Sequence, residues 1–167
     1  EQEAFPLRTR FGEALELVAY DYRASGGDLA WLATYWRALR PLEEGYRMVF
    51  FLVPLAGQQP DAYEDVSLTS LWYPPSRWQS GEVIKIEFAP TSVSKGARLA
   101  QVAVYRQLDR ERRLALPAAL PGGASPDGAA RILDLAQPPG QKVSLDSFIG
   151  LPFEPPPAQK PKPAALS

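Results

Sequence analysis

The sequence has no cysteine, no histidine and no asparagine. Without cysteine, neither disulfides nor thiolate-ligated metals can form. Without histidine, the commonest general base and the commonest zinc ligand are missing. Without asparagine there is no N-glycosylation acceptor. An excess of positive charge is missing too. Eighteen Lys and Arg against 19 Asp and Glu leave a net charge of −1, and no stretch gathers the basic residues that a nucleic acid partner requires. No run approaches the roughly 20 apolar residues of a membrane-spanning helix, and no signal-peptide pattern is expected within these residues. No glycine-rich phosphate cradle occurs either, because "PGGASPDGAA" (121–130) lacks the following Lys-Ser/Thr. No cofactor and no metal are expected.

What is present suits one domain. The chain has 167 residues, 46% of them hydrophobic and 11% aromatic, enough for a sizeable core. The shortage of Asn, Cys and Met fits a heat-adapted source, and a GC-rich genome accounts for the Arg, Ala and Pro content equally well. The chain opens on Glu1 and its one methionine, Met48, is internal, so a longer gene product is expected.

Strand patterns bounded by turn residues recur along the chain. "EALELVAYDYR" (13–23) alternates, which predicts Leu15, Leu17 and Ala19 on one face and Glu16, Val18 and Tyr20 on the other. "SGGD" (25–28) supplies a turn. "LAWLATYWRAL" (29–39) and "YRMVFFLVPL" (46–55) are apolar on both parities, as in central strands. "EVIKIEFAP" (82–90) predicts Ile84, Ile86 and Phe88 inward with Lys85 and Glu87 outward. "RLAQVAVYRQL" (98–108), "RRLALP" (112–117), "ARILDLA" (130–136) and "KVSLDSF" (142–148) complete the set. Of these, 130–136 also fits a helical spacing. Short strands with Gly and Pro turns indicate an all-β, antiparallel two-sheet β-sandwich over residues 1–150, immunoglobulin-like or jelly-roll. Residues 151–167 form a proline-rich tail, expected to be extended and solvated.

The order of several elements resembles one soluble domain. It is the extracytoplasmic C-terminal domain of bacterial membrane glycosyltransferases similar to dolichyl-phosphate-mannose mannosyltransferases. The matching positions are Phe11, Gly12, Tyr20, Tyr35, Trp36, Arg37, Tyr46, Phe50, Tyr73, Pro74, Trp78, Gly81, Glu82 and Tyr105. Pro75 stands where that pattern has Thr, "EDVSLTS" replaces its Asp-x-x-Pro, and Ala103-Val104 precede Tyr105 in place of Gly. The resemblance implies an extracytoplasmic accessory domain tethered to a membrane-embedded region of the same chain. It implies no catalytic residue here, since such enzymes keep catalysis in the membrane part.

The richest segment is "LWYPPSRWQSGEV" (71–83), which holds two of the four tryptophans beside two prolines. Trp78 is expected to fold over the open end of the sandwich as a plug. Trp72 and Tyr73 suit either the core or an exposed platform that stacks on a sugar ring, with Glu64 and Asp65 accepting hydrogen bonds from its hydroxyls. The acidic run Asp61, Glu64 and Asp65 reads most simply as a surface loop, and a hydrolase built on Asp61 or Asp65 is the weaker reading. In "TYWR" (34–37), Tyr35 and Trp36 must face opposite ways. One belongs to the core, and Arg37 shields a sheet edge or pairs with a carboxylate. "DRERR" (109–113) reads as a charged turn. The function expected is a non-catalytic accessory role that holds glycan or lipid-linked sugar, or docks a partner. The rival is a free-standing carbohydrate-binding or adhesion module of the cell envelope.

Overall fold

The computed structural model describes residues 2–25, 28–54, 62–67, 73–79, 81–88, 97–120, 123–124, 129–134 and 140–146. The proline-rich tail, Trp72 and the Lys95-Gly96 turn lie outside them. The chain is all-β. Its strands are β1 (Glu3–Phe11), β2 (Leu15–Ser25), β3 (Asp28–Ala38), β4 (Tyr46–Pro54), β5 (Ala62–Ser67), β6 (Val83–Phe88), β7 (Ala97–Gln107), β8 (Arg113–Ala115), β9 (Ala118–Leu120), β10 (Gly123–Ala124), β11 (Ala129–Asp134) and β12 (Val143–Ser144). The first sheet runs β10-β9-β1-β2-β3-β6, with β12 paired to β1. The second runs β11-β7-β4-β5, with β8 paired to β7. Every pairing is antiparallel.

The two sheets share one core. Phe11, Leu15, Leu17, Tyr20, Leu32 and Trp36 of the first sheet meet Tyr46, Met48, Phe50, Val102 and Val104 of the second, and Ile84 and Ile86 pack against them. Trp36 is fully buried and stacks obliquely on Phe11, ring centroids 5.5 Å apart. Its indole N–H, which would be costly to bury unpaired, donates to Thr34 Oγ1 at 2.7 Å. Thr34 Oγ1 in turn donates to the Ile86 carbonyl at 3.0 Å, tying β3 to β6.

β2 departs from the strict alternation read in its sequence. The register with β3 slips between Leu17 and Ala19, leaving Val18 as an extra residue, which is a β-bulge. Parity therefore flips. Leu15, Leu17 and Tyr20 enter the shared core, with Tyr22 against it, while Val18 and Ala19 face outward. Ala19 inward and Tyr20 outward is thus corrected. On the outer face, Ala4, Val18, Ala19, Ala33, Tyr35 and Leu145 form a second small cluster. Tyr35 and Trp36 are consequently both buried, on opposite faces of the same strand.

Other differences have similar causes. β1 carries Pro6, which argues against a strand interior; the proline sits at a register shift against β2 where Arg8 takes a left-handed conformation, φ 51°. Within the acidic loop read at 61–65, Ala62 onward is strand β5, for an edge strand needs only one neighbour and "AYEDVS" pairs along β4; Asp61 lies outside the described residues. The stretch 129–134 is a strand whose register slips between Arg131 and Leu133; that bulge accounts for its mixed spacing. Among the described residues of 142–148, Val143–Ser144 are strand and Leu145-Asp146 form a short helical turn.

Candidate functional site

The segment Tyr73–Glu82 joins the second sheet to the first and is locked by its own hydrogen bonds. Pro74 is extended (φ −63°, ψ 151°), and Pro75 opens a 3-10 turn, Pro75–Arg77, where its fixed φ suits the first position. Arg77 and Trp78 amides donate to the Pro74 and Pro75 carbonyls at 2.8 and 3.1 Å. Gly81 takes φ +82°, a left-handed turn that a residue with a Cβ enters only with strain. Glu82 then closes the segment. Its carboxylate accepts from the Gln79 amide at 3.1 Å and from the Tyr73 hydroxyl. The Glu82 bond, ahead of lesser effects, raises the Tyr73 phenol above its ordinary pKa.

Trp78 is the plug expected of it. It is buried in the shared core, and its indole N–H donates to the Tyr73 carbonyl at 3.1 Å. Its remaining surface lines a hollow of about 240 Å3 with Ala38, Leu39, Arg40 and Pro41. These four residues make the corner between β3 and β4, anchored where the Leu39 amide donates to the Ala14 carbonyl at 2.8 Å. Arg40 is held in a small polar ring. Its guanidinium donates to Glu43 and to the Tyr46 hydroxyl, each at 3.3 Å, and Tyr46 donates to Glu43 at 3.1 Å.

The outer face of the first sheet has a different character. Glu16 is fully buried there, 3.0 Å from Arg37, so Arg37 does pair with a carboxylate. Arg10, Glu16 and Arg37 form one cross-strand row over β1, β2 and β3. Further along, Lys85 lies 5.6 Å from the Trp31 ring and Arg23 5.4 Å from it, and Lys85 pairs with Glu87 at 2.9 Å. Ile84 and Ile86 thus face inward with Lys85 and Glu87 outward, as the alternation predicts; the Phe88 side chain lies outside the described residues.

Of the residues singled out for glycan contact, Tyr73 is the one whose side chain is described. Tyr73 is half-buried against the core with its hydroxyl engaged by Glu82, and Trp72 lies outside the described residues. Glu64 pairs with Phe50 and Asp65 with Val49 along β4, and their side chains lie outside the described residues. What the sequence reading missed is the Arg40–Glu43–Tyr46 ring. Its signal, Arg-Pro followed by Glu and Tyr between two strand patterns, is visible only once Trp78 is seen to stand opposite. In comparisons with known proteins no family model matches the chain, nor does any curated protein or solved structure. The resemblance to the glycosyltransferase domain stands on its motif order alone.

Proposed function

We propose that this chain is a non-catalytic, extracytoplasmic accessory domain of a membrane glycosyltransferase-like protein, serving to hold glycan or lipid-linked sugar or to dock a partner. One observation carries the reading. The positions that bear the resemblance act as framework. Phe11 packs on Trp36, and Tyr46, Phe50, Trp78 and Tyr105 are buried. Tyr73, Gly81 and Glu82 close the connecting segment. Residues that set a fold are what a recurring accessory domain would share.

The test is to express the whole gene with a C-terminal epitope. Under this reading the product sediments with membranes, and the epitope is digested by protease added to spheroplasts. Recovery of intact epitope in the cytoplasmic fraction overturns it. A product released without any membrane-embedded region favours the free-standing carbohydrate-binding module instead.

A further inference from the structure

We infer that the hollow between the β3–β4 corner and Trp78 is a subsite for a single neutral pyranose ring. The inference rests on the glycan-holding reading above and gives it a location and a ligand class. At about 240 Å3 the hollow is smaller than the roughly 300–1,000 Å3 of drug-sized ligand sites, which suits one ring with its hydroxyls. Leu39 and Pro41 offer C–H surface to a sugar's apolar face, and the buried Ala38 and Trp78, 8% and 6% exposed, close the hollow beneath it. The Trp78 N–H is already held by the Tyr73 carbonyl and its approach is stiffened by Pro74 and Pro75, so binding has little side chain left to order.

The polar group at the lip is equally fixed. A guanidinium has five N–H donors. In Arg40, Nη1 is engaged by the Pro41 carbonyl at 3.2 Å and by Glu43, and Nη2 by the Tyr46 hydroxyl. The Nε–H and one Nη2 hydrogen remain for a ligand. Glu43, whose carboxylate accepts from Nη1 of the same guanidinium at 3.3 Å, supplies acceptor oxygens next to Arg40, and the pair is about half exposed (44% and 50%). Donors and acceptors side by side match vicinal hydroxyls, one of which can accept while the next donates. The pair is neutral overall, so an anionic ligand gains no net attraction and meets the Glu43 carboxylate. Glu43's own backbone N–H, then Arg40 and Tyr46, hold its carboxyl below the usual carboxylate range, which keeps it an acceptor in mildly acid solution.

The experiment is an NMR titration of the 15N-labelled chain with methyl glycosides of glucose, mannose and galactose. Glucuronate and glucose 6-phosphate serve as anionic counterparts, and Trp78→Phe assigns the indole resonance. At least one neutral hexoside is expected to shift the Trp78 indole N–H and the Leu39 and Arg40 amides saturably, with a Kd on the order of millimolar. Arg40→Ala should weaken that binding at least tenfold while the rest of the spectrum is unchanged, and Glu43→Gln should weaken it independently. Unchanged affinity in both variants overturns the inference, as does binding by the anionic probes alone. Shifts clustered around Trp31 and Lys85 would remove this site and leave the glycan-holding reading standing. No shift with any saccharide would remove the site and the glycan role together, with the membrane placement still decided by fractionation.

Discussion

Glu16 and Arg37 show how much can depend on one pair of side chains. A carboxylate with no exposed surface is tolerable only with a cation against it, and Arg37 stands 3.0 Å away. Removing one partner of a buried pair typically costs about 3–5 kcal/mol, because the other charge is left stranded. Arg37→Ala should therefore lower the urea midpoint strongly, and Arg37→Ala combined with Glu16→Gln should recover part of the loss. An unchanged midpoint in Arg37→Ala would mean that water reaches Glu16. A second residue-scale expectation concerns Tyr20, whose phenol is pushed up to about 12 by burial and then by Tyr22. A folded-state pKa above the unfolded value of about 10 contributes stability that is fully present below pH 10 and lost as pH rises from there toward 12. Tyrosinate absorbance should show at least one tyrosine resisting ionisation until the chain unfolds, and the urea midpoint should fall across that window. A flat midpoint would count against this assignment.

At the scale of elements, the segment Tyr73–Glu82 is a clasp whose parts differ in worth. Trp78 contributes buried aromatic area, and its truncation to alanine should destabilise the chain by about 3–5 kcal/mol. Tyr73→Phe removes only the hydroxyl whose hydrogen bond Glu82 accepts, so its cost should be well below that of Trp78→Ala, and it should quicken hydrogen exchange at Gln79, whose amide shares the same carboxylate. Equal losses from the two substitutions in a denaturant titration would show that the clasp, not the core contact, holds Trp78.

For the whole molecule, the decisive feature is that both sheets pack on a common core, with Trp36 and Trp78 inside it. Neither sheet can shed its partner without exposing that core, so unfolding should be a single cooperative transition. Tryptophan fluorescence and far-UV circular dichroism should give coincident denaturation curves, and the native far-UV spectrum should be of strand type. Two separated transitions, or a dominant helical signal, would contradict this architecture.

Alternating and doubly apolar stretches determined the all-β class, the central strands β3, β4 and β7, and the inward face of β6, because side-chain parity on a strand is a local property. The burial of Trp78 was legible for a related reason: two prolines fix the backbone leading into a large apolar ring. Parity beyond Val18 was not legible, since a bulge is set by how β2 meets β3. The strand at Ala62–Ser67 was hidden as well, because its polar residues become a strand only beside β4. The candidate saccharide hollow was invisible for the same reason. Arg40, Glu43 and Tyr46 are near neighbours in sequence, but Trp78 reaches them only through the crossing from the second sheet back to the first, a relation that tertiary structure alone decides.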